Sequence, residues 1–178
     1  RWDECDRLIE AAYARFGRVD TLINNAGMGP RTPSHLVTEQ LFDSVLNLNL
    51  KGPFRLASQI AHRMAQGDGG CIINISSSGS LYPLPEVVPY GSAKAALNAM
   101  SASLAHEYGP KVRVNALAAG PFLTDIANAW SEEARQSTDN ARGRPADPAD
   151  IVTAALFLAS PGSVNVTGGI IRCDGGAA

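Results

Sequence analysis

The stretch "CIINISSSG" (71–79) decides the fold class. Its first five residues form a short apolar run entered through the turn "GDGG", as expected for a buried strand. Small and polar residues follow at once, and such residues allow a backbone or a ligand to approach closely. The sequence therefore predicts a buried strand whose carboxyl end is open to close contacts.

The same arrangement recurs along the chain. Buried strands are predicted at 19–23, 112–117 and 168–173, and each is followed by small or polar residues: "NNAG", "AAGP" and "DGG". Helical spacing, caps and breakers predict helices at 2–16, 38–66, 87–108 and 147–159, with a disturbance near Gly52-Pro53. Residues 131–150 are the one long irregular candidate.

Strands and helices alternate, and the connections are too long for hairpins. This pattern predicts the α/β class: a parallel sheet with right-handed crossovers and helices on its faces. Ligands bind outside the carboxyl ends of such strands, so the small-residue clusters would line one binding edge. Small residues also simply punctuate strand-to-helix turns, and the clusters alone leave both interpretations open.

Composition narrows the function classes. The 178 residues are 45% apolar and carry a net charge of −2, which fits one domain over 1–178 and gives no basic surface for nucleic acid. The longest apolar run, from Ile151, is far too short for a membrane span, so we expect no membrane partner and a cytoplasmic location. Neither a disulfide framework nor a metal site is indicated by the three cysteines, Cys5, Cys71 and Cys173. Small molecules and copies of the chain are the expected partners.

Tyr90 and Lys94 form the most suggestive pair in the chain. Positions four apart share a helix face, so the phenol and the ammonium can approach each other. Spacing alone equally fits a solvated pair on an exposed helix. Ser77, thirteen residues before Tyr90 at the end of a predicted strand, adds a hydroxyl to the neighbourhood. A cation about 5 Å from the phenol would lower the phenol pKa by roughly two units, which suits proton transfer to or from a carbonyl or alcohol oxygen.

These residues and their neighbours resemble the short-chain dehydrogenase/reductase family. The shared motifs, in the family's order and spacing across essentially the whole chain, are "NNAG" (24–27), the Asn of "NLNLKG" (Asn49), Ser77, "YGSAK" (90–94), "RVNALAAGPFLT" (113–124) and "TGG…DGG" (167–176). The resemblance implies a Rossmann-like doubly wound sheet that binds NAD or NADP. It also implies hydride transfer between the nicotinamide and a ketone or secondary alcohol, as in 3-oxoacyl reductases and related dehydrogenases.

The resemblance also implies residue roles. Tyr90 would be the general acid/base, Lys94 would lower its pKa and bind the nicotinamide ribose, Ser77 would bind the substrate oxygen, and Asn49 would hold a relay water. From the residues alone, Asn49 equally fits a polar residue that relaxes a helix. Further cofactor contacts would come from Asn25, Ala26, Gly27, Phe122 and Thr124. The family often forms tetramers through the helices at 38–66 and 89–108, so a homotetramer or homodimer is expected.

Two departures from the family pattern stand out. Ala119-Gly120 replaces the usual Pro-Gly, and the spacing to Thr124 is kept. The chain starts at Arg1 inside a helical pattern, and the glycine-rich turn that seats a pyrophosphate is missing, as is the residue that chooses NAD or NADP. We therefore expect a fragment without the first βαβ half, short by roughly 60 to 75 residues. In the complete sheet, the strand at 19–23 would be central.

Two other functions compete with an oxidoreductase. A non-catalytic Rossmann-like binding or regulatory protein would keep the fold, although it has no need for Ser77, Tyr90, Lys94 and Asn49 together. A serine hydrolase using "SSSGS" lacks the G-x-S-x-G elbow. The segments 81–88 and 122–130 are expected to shape a partly apolar substrate pocket, without fixing the substrate.

Overall fold

The computed structural model describes residues 1–177, and its centre is a four-stranded parallel sheet. The strands lie in the order β1-β2-β3-β4, and each pairs with the next in parallel register. They span Thr21–Asn24, Gly70–Ser77, Val112–Ala119 and Ile170–Cys173. The predicted α/β class and parallel sheet are confirmed.

Six α-helices of the described chain surround this sheet. They are α1 (Trp2–Phe16), α2 (Glu39–Leu46), α3 (Gly52–Gln66), α4 (Val88–Tyr108), α5 (Glu132–Gln136) and α6 (Val152–Ala159). A π-helical segment, Asn47–Lys51, joins α2 to α3, so the predicted disturbance lies just before Gly52-Pro53. Thr38 caps α2 as predicted, because its hydroxyl accepts from the Leu41 amide at 3.2 Å.

Alternate residues of the strands face opposite helical layers. Ile72 packs in a core with α1, α3 and α4, through residues such as Ile9, Ile60 and Leu104. Ile73 packs on the other face with Cys71, Leu117 and the α6 residue Leu158. Helices therefore cover both faces, as a doubly wound sheet requires.

The crossover from β3 to β4 corrects one expectation. The strands advance across the sheet in one direction, yet α6 packs on the face opposite α3 and α4. The three crossovers therefore cannot all be right-handed. The prediction of right-handed crossovers throughout the sheet is wrong for this connection. The rule is strongest for compact crossovers, whereas the connection between Ala119 and Ile170 is long and contains α5 and several short 3₁₀ turns.

Element boundaries differ modestly from the sequence expectations. The expected helix at 147–159 begins as a 3₁₀ turn, Pro148–Ile151, and only then becomes α6. The irregular stretch 131–150 contains α5, whose first turn is capped by the Ser131 hydroxyl accepting from the Ala134 amide. A local cap was enough to form this short helix where composition favoured a loop.

β1 is an outer strand of this sheet. Among residues 1–177 it pairs only with β2, and the side chain of Ile23 is 47% exposed. An outer parallel strand with an exposed isoleucine leaves both backbone groups and apolar surface uncovered. The expectation that this strand would be central in a complete sheet stays a prediction.

Candidate active site

The carboxyl ends of the strands gather the predicted motifs along one edge. Ser77 ends β2 and leads into the 3₁₀ turn Ser78–Ser80. Gly120, just after β3, lies so close to the end of β4 that a Cβ on it would be 2.5 Å from the Asp174 Cα. Close packing therefore requires a small residue at this position, which does more than mark a strand-to-helix turn.

Lys94 is buried and does not form a solvated surface pair. Its side chain is 3% exposed, and its Nζ donates to the carbonyl of Ile75 in β2 at 2.8 Å. The ammonium lies 5.6 Å from the centre of the Tyr90 ring, one turn earlier on α4. Because Lys94 is buried, the interpretation of a solvated pair on an exposed helix is wrong. Burying a cation beside a partly buried phenol costs free energy, and such costly groups are frequent at functional sites.

Burial dominates the ionisation of both groups. It lowers the pKa of Lys94 to about 8, so the ammonium persists near neutral pH. Burial also raises the pKa of Tyr90, while the hydrogen bond with Ser77 lowers it by a smaller amount. The net pKa of Tyr90 is raised because desolvation of the phenolate is the larger effect, and a lowering contribution from Lys94 stays a prediction.

Asn49 lies in the π-helical segment and is fully buried. Its amide donates to the carbonyls of Met28 at 2.8 Å and Val45 at 2.9 Å, and its Oδ1 accepts from the Met28 amide at 3.3 Å. The bond to Val45 satisfies a helical carbonyl, as the helix-relaxing interpretation requires. The bonds to Met28 tie the same side chain to the loop after β1, so Asn49 serves both elements.

Gly27 and Gly29 bring that loop against the site. A Cβ on Gly27 would lie 2.8 Å from Asn49 Oδ1 and 3.4 Å from Lys94 Nζ, and a Cβ on Gly29 would lie 3.0 Å from the Tyr90 ring. A side chain at Gly27 would collide with Asn49, and one at Gly29 would crowd the Tyr90 ring. Gly27 was predicted from the motif. Gly29 was missed, although a second glycine two residues later was the available signal.

The other predicted residues occupy the loops after β1 and β3. Asn25 and Ala26 are exposed beyond β1, Phe122 is buried and bridges to Ala146, and Thr124 is exposed. Their roles toward a cofactor stay predictions.

The residues present fit the nicotinamide-ribose end of a dinucleotide. Lys94 uses one of its three N–H donors on Ile75, which leaves two for hydroxyl groups such as those of a ribose. Gly27 lets the loop after β1 approach both Lys94 and Asn49 closely, since a Cβ there would lie 2.8 Å from Asn49 Oδ1. Within residues 1–177 there is no cluster of three or more acidic, His or Cys residues suited to a metal ion.

Comparison with known proteins identifies the family. The protein-family model described as Enoyl-(Acyl carrier protein) reductase matches residues 1–178 of the sequence. The 3-oxoacyl-[acyl-carrier-protein] reductase of Thermotoga maritima is 34% identical over 98% of this chain and 72% of its own length. The crystal structure of a short-chain type dehydrogenase/reductase from Mycobacterium marinum superposes with a TM-score of 0.92, at 26% identity, over 98% of this chain and 71% of that one.

The chain belongs to the short-chain dehydrogenase/reductase family. A 4-hydroxyisoleucine dehydrogenase complexed with NADH is a further structural relative, with a TM-score of 0.87 at 28% identity over 99% of this chain and 76% of that chain. This short-chain dehydrogenase/reductase is an NAD(P)-dependent oxidoreductase that acts on carbonyl or hydroxyl carbons. None of its described helices is long and apolar enough to cross a bilayer.

Sequence reasoning missed two polar networks of this dehydrogenase/reductase. In the first, Asn24 donates to Asn74 at 2.8 Å, and Asn74 donates to Ser101 of α4 at 2.9 Å, all buried. In the second, Asn98 of α4 donates to Ser80 at 2.8 Å. The only signal in the sequence was polar residues within or beside the apolar runs of strands and of α4, which does not reveal a partner.

Proposed function

We propose that Tyr90 is the general acid/base of this oxidoreductase, with Ser77 holding the substrate oxygen and Lys94 supplying the nearby positive charge. The observation that carries the proposal is the buried Lys94 ammonium, held by the Ile75 carbonyl 5.6 Å from the centre of the Tyr90 ring. A stabilising role alone would favour an apolar side chain at a site this buried. This is also the argument against a non-catalytic binding protein.

In the direction of ketone reduction, these side chains divide the work. The raised pKa of Tyr90 keeps the phenol protonated, so that it can donate its proton to the substrate oxygen as negative charge develops there. The Ser77 hydroxyl donates a hydrogen bond to the same oxygen, and the Lys94 ammonium stabilises the phenolate that is left. Asn49 would hold a water that returns a proton toward Lys94. The nicotinamide, when bound, supplies or accepts the hydride.

The substrate is proposed to carry an apolar body beside its reacting carbonyl. Large apolar side chains are 39–42% exposed on the loops after β2 and β3: Leu81, Leu84, Leu123 and Ile126. Leu84 lies near Ser77, because a Cβ on Gly79 would be 2.6 Å from Leu84 Cδ2 and 3.5 Å from Ser77 Oγ. Exposed apolar side chains next to a catalytic hydroxyl favour an acyl chain or a ring system over a polyol.

The Ser77→Ala variant tests the assignment of the substrate oxygen. We expect kcat for ketone reduction by the full-length protein to fall about 10²-fold, the usual cost of removing one donor to a developing oxyanion. The assay is oxidation of NADH or NADPH with a panel of acyl, cyclic and polyol ketones. Ser78→Ala, one residue later in the same turn, is the matched control and should keep its activity. Equal activity in both variants would contradict the role of Ser77.

The 178-residue chain taken alone is proposed to be unstable and to bind NAD(P)H weakly. β1 is an outer strand with an exposed Ile23, and the sequence contains no glycine-rich pyrophosphate turn. We expect aggregation on concentration and a fluorescence titration with NADH or NADPH that does not saturate at micromolar cofactor. Tight binding in that titration would overturn the proposal.

We further propose a homotetramer or homodimer for the full-length protein, located in the cytoplasm. The support for assembly is the exposure of large apolar side chains along the α2–α3 segment, namely Phe42, Leu48 and Phe54, which are 39–45% exposed. Light scattering of the purified full-length protein would measure the assembly.

A further inference from the structure

A short hydrogen-bond chain connects α4 to the backbone of Ser77. The Asn98 amide donates to Ser80 Oγ at 2.8 Å, and Ser80 Oγ donates to the Ser77 carbonyl at 2.5 Å. Ser76 lies beside this chain, 3.3 Å from the Lys94 carbonyl and 3.2 Å from Ser80 Oγ. The end of β2 is therefore tied to the helix that carries Tyr90 and Lys94.

The hydrogens available on Ser80 and Asn98 determine which group donates in each of these hydrogen bonds. A serine hydroxyl has one hydrogen, and the short contact to the Ser77 carbonyl, which can only accept, takes the hydrogen of Ser80. Ser80 must then accept from Asn98, so the NH₂ group of Asn98 faces Ser80. The Asn98 Oδ1 is left buried and without a partner among residues 1–177. An unsatisfied buried oxygen costs about 1–3 kcal/mol, so Asn98 is a poor choice if only helix packing were needed.

The consequence falls on the hydroxyl of Ser77. The Ser77 Oγ already accepts from the Gly79 amide at 3.1 Å, so its one hydrogen can be donated to the Tyr90 phenol or, when substrate binds, to the substrate oxygen. The bond from Ser80 holds the carbonyl of Ser77. Both the hydroxyl oxygen and the carbonyl oxygen of Ser77 are therefore held by hydrogen bonds from the following turn. Because Asn98 lies one turn beyond Lys94 on α4, this bond also sets the position of Ser77 relative to Tyr90 and Lys94.

We propose that Ser80 and Asn98 are positioning residues that aim the Ser77 hydroxyl at the substrate oxygen. The inference rests on the proposed function of Ser77. Neither residue contacts the reacting groups directly; they act through the Ser77 peptide. Displacement of a catalytic group by about 1 Å can cost about 10²-fold in rate, so a partial loosening of Ser77 should cost less than deleting its hydroxyl.

The test measures kcat and KM of the full-length protein for Ser80→Ala, Asn98→Ala and the double variant. We expect kcat to fall about 10-fold in each, with KM for the nicotinamide cofactor unchanged, because the substitutions misplace Ser77 without touching the cofactor side. The double variant should be no worse than either single one, since both break the same chain. Ser80→Thr keeps the hydroxyl and should restore most of the rate.

Two comparisons separate a positioning role from simple loss of stability. Ser103→Ala, an exposed serine of α4 that bonds only to its own helix at the Ala99 carbonyl, is the control and should keep full kcat. In a Ser77→Ala background, Ser80→Ala should cause no further fall. A lower Tm with kcat within about twofold of the parent, or kcat losses that multiply in the double variant, would overturn the inference. If Ser77→Ala itself retains full activity, the proposed function fails as well, and the two failures are distinguishable.

Discussion

Tyr90→Phe is expected to lower kcat of the full-length protein by about 10²- to 10⁴-fold, the contribution of a positioned general acid/base. Phenylalanine keeps the ring, so the contact with the loop at Gly29 and the packing of the first turn of α4 persist. Only the phenolic hydroxyl, which carries the proton to be transferred, is lost. Steady-state oxidation of NADH or NADPH with a ketone substrate measures the effect.

Tyr108→Phe supplies a matched control for that experiment. Tyr108 is the last residue of α4, far along the helix from the site, and only partly buried. We expect its hydroxyl to be dispensable for turnover. If Tyr90→Phe kept more than a tenth of the parent kcat while Tyr108→Phe behaved the same way, another group would have to move the proton.

Lys94→Met is the second large effect expected. At 5.6 Å from the ring, with an effective dielectric constant of about 20, a cation stabilises a phenolate by about 3 kcal/mol, which corresponds to about 10²-fold in rate. Methionine has a similar length and no charge, so the packing changes little. The lost bond to the Ile75 carbonyl adds a stability cost of about 1–3 kcal/mol. The readouts are kcat and, separately, the Tm of the variant.

In the parent enzyme, the rate should also depend on the charge of Lys94 when pH is varied. Burial lowers the pKa of Lys94 to about 8, so the ammonium is present below that pH and is lost as pH rises through it. Ketone reduction, measured as kcat/KM, should therefore fall above about pH 8, and the falling limb should be missing in Lys94→Met. Lys111→Met, which removes an exposed lysine that bonds to the Gly67 carbonyl, should keep the limb. A falling limb that survives in Lys94→Met would assign it to another group.

Much of the fold follows from local sequence. Apolar runs such as "CIINI" specify strands because a buried parallel strand needs apolar residues on both faces, and Thr38 specifies a helix start through its own hydroxyl. The hand of the last crossover does not follow, since it depends on which face α6 covers. That choice is made by packing of Leu158 against Ile73 and Leu117, which no local pattern contains.

The candidate site divides in the same way. The spacing of Tyr90 and Lys94 on one helix face was readable, because helix geometry is local. The pKa directions were not, since they depend on how far tertiary packing removes each group from water. Ser80 and Asn98 were missed for a related reason: their pairing joins a turn to a helix eighteen residues away, and no motif of the sequence pairs the two.

The long connection between β3 and β4 carries none of the groups proposed to move the proton. It leaves the edge of the sheet that holds Ser77, carries Leu123 and Ile126 as exposed apolar side chains, and returns on the opposite face through α6. Tyr90, Lys94 and Asn49 lie on other elements. Residues could therefore be exchanged, inserted or removed in this connection to suit a different substrate, while the proton-transfer groups keep their geometry.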